Sequence, residues 1–425
     1  MALDNGRRLL RFAHVVGWGM AIPERVLTNN DLAGFVDTSD EWISTRTGIR
    51  ERRMAGERES TATLGLRAAQ DALDVADILP QDVGLIIVAT STPDYVFPST
   101  ASLIQDWLGA TQAGAFDLSA ACSGFVYGVQ MAAQSIRAGA VDVALVIGAE
   151  TMTRVLDWTD RNTCVLFGDG AGAVVLRGSD VPGGVLSCVL GSDGSGADLL
   201  TIPNGAQPPA DAGVGVNGLH KLSMDGRAVF RFASRIIGLS VTEALEQAGL
   251  TLDDVALIVP HQANQRITEA AARQLKVPVE RFFSNLERYG NTSAASIPIA
   301  LCEAANQGRI RPSDKVVLVG FGGGLTWGAM VIQWPEELPP EMGEWTLRRR
   351  RFVYTLARWR SRLLRLWWRV QRVLLGIPIV RTEDEGEEAL ELRLPRPRLP
   401  QLRTPKQPPA LPGDPQQAAD EKQDD

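Results

Sequence analysis

Cysteine and histidine are scarce in this chain. Its 425 residues include four cysteines, Cys122, Cys164, Cys188 and Cys302, and three histidines. No CxxC pair brings two thiols together, which argues against a zinc ribbon or a disulfide framework; reduced thiols of a cytoplasmic protein are expected. So few histidines leave little room for an imidazole metal cluster, and no metal is expected. No run of about 18 or more apolar residues occurs, so no ordinary spanning helix is expected. The N-terminal MALDNGRRLLRFAHV lacks a sustained apolar core before a cleavage site, so no signal peptide is expected. A net charge of −7 argues against bulk nucleic-acid binding.

What the chain has in quantity is apolar residues, 45%, with 41 glycines and 24 prolines, enough for a sizeable core and two domains. Residues 8–21 are expected as a first strand, with a turn at Pro23 and Asn29 or Asn30 capping a short helix from Asp31. Residues 60–77 have helical spacing, and 83–90 (VGLIIVAT) has the apolar run of a parallel strand covered on both faces. A helix at 101–108, a strand at 115–118, a helix to about Arg137 and a strand at 143–147 follow. Residues 167–176 (FGDGAGAVVL) are a glycine turn feeding a strand. The stretch 179–217, rich in Gly, Pro and Asp, is expected to hold a strand pair and an active-site loop. The second half repeats the pattern: helix 230–248, strand 255–260, helix 263–275, helix 294–307, strand 315–320 and a second glycine turn at 321–332. The alternation is α/β, and two copies of one unit, about 8–178 and 218–334, are expected.

Residues 116–125 (FDLSAACSGF) read as a strand end, a tight turn and a helix start. Cys122 then sits at a helix N-terminus, where free N–H groups and the helix dipole favour a thiolate. A buried structural cysteine is the alternative. His261 follows a buried-type strand in VPHQAN, and Asn291 precedes a helix in YGNTSAAS. A core-edge histidine and an N-cap asparagine are the structural alternatives. Strand-end loops of an α/β fold line its usual crevice. A Cys, a His and an Asn in three such loops point to nucleophilic acyl chemistry and leave hydrolysis and acyl transfer open. Residues 39–53 (SDEWISTRTGIRERR) set Trp42 among guanidinium groups. A solvated loop or dimer contact there competes with a clamp for a phosphorylated aromatic ligand.

Taken in order, DEWISTRTGIRERR, AACSGF, FGDGAGA, VPHQAN, YGNTSAAS and GFGGGLTWGA make residues 10–334 resemble the β-ketoacyl-[acyl-carrier-protein] synthase III family. The resemblance implies a duplicated thiolase-like fold in five layers, αβαβα, as a homodimer. It implies decarboxylative condensation of an acyl-CoA primer with malonyl-ACP, with no cofactor beyond these substrates and an acyl carrier protein as partner. Cys122 would be acylated, and His261 and Asn291 would bind the malonyl thioester. The amides of Cys122 and Gly323 would form the oxyanion hole, and Phe321 would favour decarboxylation. Trp42, Arg46, Thr47 and Arg161 would meet the nucleotide of CoA, and Asn264 the pantetheine path. Arg231 and Arg266 would face the carrier protein, and Phe97 would set primer size. GFGGG lacks the second cysteine of a thiolase, Asn291 argues against a Cys-His-His elongating synthase, and no glutamate stands out for a hydroxymethylglutaryl-CoA synthase. A starter synthase or acyltransferase of polyketide or secondary lipid metabolism is the alternative reading.

The family pattern stops near Trp334. Residues 335–382 form a basic extension, in which Phe352, Leu356, Trp359, Leu363, Trp367, Val370 and Leu374 recur at helical spacing across 344–375. Such a helix can lie in an anionic membrane interface or pack on the enzyme or a partner; nucleic acid is the least favoured. A cytoplasmic location is expected, with membrane attachment through this helix as the open alternative. Residues 383–425 turn acidic, then Pro-rich, and are expected to be disordered.

Overall fold

Nine strands carry the architecture, and their order repeats. The first half contributes β1 (Phe12–Ala21), β2 (Leu85–Ala89), β3 (Gly114–Leu118), β4 (Val143–Thr151) and β5 (Asp169–Ser179). The second contributes β6 (Val185–Ser192), β7 (Val255–Pro260), β8 (Lys315–Gly322) and β9 (Thr326–Gln333). One sheet has the order β1-β5-β4-β2-β3 and the other β6-β9-β8-β7. In each, a parallel pair (β2 with β4, β7 with β8) is extended by an antiparallel pair of strands. Where β3 lies parallel to β2, the second half has one parallel bridge, Ile258 to Phe282. The duplication expected from the short sequence echoes is thus visible strand by strand.

These coordinates are a computed structural model that describes residues 3–4, 7–8, 11–203, 221–336 and 344–374. The expected disordered tail at 383–425 lies outside the described residues, as do 204–217 of the expected connector and 375–382 of the extension. Residues Met1–Val370 form one compact unit and Gln371–Asp425 a second.

The helices supply the other layers. They are α1 (Asp40–Thr47), α2 (Thr61–Ala76), α3 (Thr100–Leu108), α4 (Gly124–Arg137), α5 (Gly226–Ala248), α6 (Gln265–Leu275), α7 (Ser296–Asn306) and α8 (Glu344–Leu374). Alternating residues of β4 show how the layers form. Ala144 and Val146 join the core that contains α4 and α7, while Val143, Leu145 and Ile147 join the core under α2. On β8, Val316 and Leu318 face α4 and α7, and Val317 and Val319 face α5 and α6. Both sheets are covered on both faces, which explains their unbroken apolar runs. Each large aliphatic side chain fully buried in this way contributes roughly 1.5–3 kcal/mol.

Three sequence expectations change. Thr28, with Asp31 closing a capping box, caps the first short helix, Asn29–Ala33, in place of Asn29 or Asn30. Within 39–53, where a solvated loop is one alternative, most residues are regular: Ser39 accepts from the Trp42 N–H, the helix α1 follows, Gly48 ends it with φ +83°, and 51–53 form a short strand. The expected connector at 179–217 contains β6, the edge strand of the second sheet, so the second half begins before residue 218. Among the described residues, no helix is long and apolar enough to cross a membrane.

Candidate active site

Cys122 stands just outside α4. After β3 the chain turns through a short 3-10 segment, Ala121–Ser123, and α4 begins at Gly124. Ala121 has φ +45°, a left-handed backbone that costs a residue with a β-carbon about 1–2 kcal/mol. Strain of this kind persists only where the surroundings impose it. Here the turn presses against the end of β8: a β-carbon on Gly322 would lie 2.6 Å from the Cys122 nitrogen. Glycine at 322 is what lets the two backbones meet.

The Cys122 side chain is buried, and its thiol donates to Ser293 Oγ at 3.4 Å. Burial pushes the thiol up to about 12, the Ser293 hydrogen bond opposes this, and the Glu150 charge adds to the rise. The expectation of a resting thiolate is therefore corrected. Desolvation of the sulfur outweighs the nearby helix end, and the resting residue is a thiol at neutral pH.

His261 follows β7 directly. Its backbone N–H donates to Val319 O at 2.7 Å, continuing the pairing with β8. Its Nδ1 lies 2.6 Å from Ser296 Oγ, which also accepts from the Gln262 N–H at 3.4 Å. With the Ser296 hydroxyl giving its proton to Nδ1, the ring proton sits on Nε2; the hydroxyl's two lone pairs also fit the opposite tautomer. Burial lowers the His261 pKa from 6.5 to about 3, so the ring is a neutral donor. Its ring meets that of Phe321 edge to face, with centroids 5.2 Å apart.

This burial has a pH consequence. Below pH 6.5 the unfolded chain protonates His261 while the folded chain does not, so stability is full above 6.5 and declines as pH falls toward about 3. Thermal melting measured across that window is expected to fall with acidification, and His261→Gln is expected to flatten the decline. An equally steep profile in the variant would assign the loss to other groups.

Asn291 is held by its main chain and by half of its side chain. Its N–H donates to Leu166 O at 2.8 Å, and its carbonyl accepts from the Gly168 N–H at 3.0 Å. Oδ1 accepts from the Ser293 N–H at 2.8 Å, which leaves the side-chain N–H groups for the cavity that Asn291 lines. Ser293, at φ +48°, thereby touches both Asn291 and Cys122. Behind it, at the end of β4, the buried Glu150 accepts from the Ser91 and Ala294 N–H groups and from the hydroxyls of Thr90 and Thr92. Burial raises the Glu150 pKa, and these hydrogen bonds oppose the rise. Glu150 lines neither of the two cavities described next, so it is not placed to act on substrate.

Cys122, His261, Asn291 and Phe321 line one cavity of about 490 Å³. Its outer wall holds Trp42, Arg46 and Thr47 of α1, Arg227 of α5, and Asn264 at the start of α6. The Arg46 and Arg161 guanidinium carbons lie 4.5 and 5.2 Å from the Trp42 ring centroid. Arg161 does not line the cavity and bonds Asp37. The Thr47 hydroxyl is engaged within its own turn, donating to Ile43 O and accepting from the Ile49 N–H. Asn264 caps α6 through the Arg266 N–H. A second cavity of about 320 Å³ continues past Cys122, lined by Met152, Phe167, Leu200, Leu222, Ser293 and Gly323 among others.

Two groups of expected residues stand apart. Arg231 is exposed in the second turn of α5 and Arg266 in the first turn of α6, near the ends that supply Arg227 and Asn264 to the cavity wall. Phe97 is 85% exposed and lines neither cavity. Sequence reasoning missed Ser293, Ser296, Glu150 and Arg227. The two serines were visible inside NTSAAS, next to Asn291, but the partners that give them a role are remote in sequence.

Comparison with known proteins agrees with this geometry. The model of 3-oxoacyl-[acyl-carrier-protein (ACP)] synthase III matches residues 116–194, and that of the same synthase's C-terminal part matches 245–334. The chain is 54% identical over 327 residues to a β-ketoacyl-[acyl-carrier-protein] synthase III of Roseiflexus sp. (strain RS-1), covering 77% of this chain and 99% of that protein. It is 52% identical over 326 residues to the enzyme of the same name from Symbiobacterium thermophilum, covering 76% and 99%. The crystal structure of the Thermus thermophilus synthase III superposes with a TM-score of 0.73 at 46% identity, covering 76% of this chain and all of that one. Full coverage of these relatives by residues that also build the cavity has one meaning: the chain belongs to the β-ketoacyl-[acyl-carrier-protein] synthase III family.

Proposed function

We propose that this condensing acyltransferase joins an acyl-CoA primer to malonyl-ACP, with Cys122 carrying the acyl group and His261 and Asn291 holding the malonyl thioester. The observation that carries the assignment is that one cavity is lined by Cys122, His261, Asn291 and Phe321 together with Trp42 and Arg46.

In the first half-reaction the Cys122 sulfur attacks the primer carbonyl. A carbon–sulfur bond forms to the enzyme, the bond to CoA sulfur breaks, and the thiol proton leaves with CoA. The amides of Cys122 and Gly323 stabilise the oxyanion. Trp42 stacks on the adenine of CoA and Arg46 meets the CoA phosphates, with Thr47 and Asn264 along the path; Arg161, beside Trp42, reaches the nucleotide on leaving Asp37. The second cavity accommodates the acyl chain, with Phe97 supplied across a homodimer. In the second half-reaction the malonyl thioester oxygen accepts hydrogen bonds from His261 Nε2 and Asn291 Nδ2. Loss of CO2 leaves an enolate that these neutral donors stabilise, with Phe321 keeping water away. The enolate carbon then attacks the acyl carbonyl, the bond to the Cys122 sulfur breaks, and the thiolate that departs takes a proton from solvent, giving β-ketoacyl-ACP and the resting thiol. Arg231 and Arg266 offer an acidic carrier protein a basic landing site.

Intact-mass measurement tests both halves. Incubation with a panel of acyl-CoA primers is expected to add one acyl group, mapped to the Cys122 peptide. Addition of malonyl-ACP is expected to remove it with release of CO2 and β-ketoacyl-ACP. An adduct on another cysteine, or free acid without condensed product, would overturn the assignment.

A further inference from the structure

The extension after residue 334 docks in the reverse of the sense its periodicity suggests. The polar side of α8 faces the enzyme. Arg350, 6% exposed, donates to Leu73 O at 2.8 Å, Ile78 O at 3.0 Å and Asp77 Oδ1 at 2.5 Å. The Tyr354 hydroxyl donates to Asp74 Oδ1 at 2.9 Å, and Ser361 bonds Asp106. A β-carbon on Gly109 would lie 2.9 Å from that of Ala357. Positions 350, 354, 357 and 361 recur every three or four residues and make one face. The residues of the other side, Leu356, Trp359, Leu363, Leu366, Trp367 and Val370, are 41–61% exposed and line one shallow apolar groove.

A contiguous apolar face left outward by a polar docking face marks a surface meant for something else. The charge around it selects the occupant. Residues Glu344–Leu374 contain ten arginines and one carboxylate. Arg360 and Arg362 are exposed alongside the apolar stripe, while Arg365 pairs with Asp106 at 3.6 Å next to the docking face. A second copy meeting this face with its own would bring two such arginine sets together and repel. An anionic lipid surface satisfies both features: the stripe enters the acyl boundary, tryptophans sit at headgroup level, and arginines meet phosphates. No described helix can span a bilayer, so α8 would lie in the plane of the surface.

We propose that the outward face of α8 seats the enzyme on an anionic lipid surface. Co-sedimentation of the full-length protein tests this, using vesicles of phosphatidylcholine alone and of phosphatidylcholine with phosphatidylglycerol in equal parts. Recovery with the anionic vesicles is expected to exceed that with the neutral ones by about tenfold or more. Combined Trp359→Ser, Leu363→Ser and Trp367→Ser substitution is expected to weaken anionic-vesicle binding by about tenfold or more while condensation activity is kept. Quenching of wild-type tryptophan fluorescence by bromine-labelled lipid chains tests the same seating without a substitution. Equal partition of wild type and variant, absence of quenching, or no recovery of wild type with anionic vesicles would overturn the proposal. A native mass that halves in the variant would overturn it in favour of a second copy of this chain.

Discussion

Replacing Cys122 with alanine is expected to leave no acyl-enzyme and to lower condensation by about a thousandfold or more. The variant loses the thiol of Cys122, the only cysteine among the described residues that line the two cavities. The change is small in volume at a position 5% exposed, and the Ser293 hydroxyl keeps its other neighbours. A stability loss near 1 kcal/mol is expected, so the melting temperature should stay close to that of wild type. His261 and Asn291 do not depend on the sulfur for their own hydrogen bonds. Decarboxylation of malonyl-ACP without condensation should therefore persist in Cys122→Ala. The measurement is paired: intact mass after acyl-CoA, and CO2 release from malonyl-ACP. Condensed product from the variant within tenfold of wild type would falsify the role of Cys122.

Asn291→Asp separates the second half-reaction from the first. Aspartate has the same shape, and its carboxylate can still accept from the Ser293 N–H, the bond that Asn291 Oδ1 makes at 2.8 Å. The turn should hold, because the main-chain bonds to Leu166 and Gly168 are untouched. What disappears is the amide donor to the thioester oxygen, and what appears is negative charge beside a developing enolate. Losing one such donor costs about 10²–10³-fold, and the added charge opposes the enolate as well. Malonyl-ACP decarboxylation and condensation should fall by at least this factor, while acylation of Cys122 by acyl-CoA should change by only about threefold or less. Separate assays of the two half-reactions check it. An acylation defect with normal decarboxylation would move Asn291 to the other half of the cycle.

Particular residues show how much of the site was legible beforehand. Cys122, His261 and Asn291 stood out because each follows or precedes an apolar run or a glycine turn, and strand-end loops converge in an α/β fold. For the Trp42 segment a solvated loop or dimer contact competed with a ligand clamp, and the helix α1 was not foreseen, although Ser39 and Gly48 mark both its ends. The ionisation of Cys122 was misjudged for a different reason. Dipole arguments depend on local sequence, whereas burial of the sulfur, the Ser293 hydrogen bond and the Glu150 charge come from packing against parts of the chain remote in sequence. The tautomer of His261 likewise depends on Ser296, thirty-five residues away.

The sequence by itself determined most of the elements, the duplicated order and the Cys, His and Asn in their loops, because periodicity, caps and glycine turns act over a few neighbouring residues. It also established that 344–374 is helical and two-faced. Only the tertiary structure decided that Cys122 rests as a thiol and His261 as a neutral donor, because burial and shared hydrogen bonds are properties of the packed site. The same holds for α8. Its periodicity defines two faces, but the choice of the inner one rests on Asp74, Asp77, Asp106 and the carbonyls of Leu73 and Ile78. These acceptors lie far away in the chain and match arginine, tyrosine and serine better than they match leucine and tryptophan, so the apolar face is the one turned outward.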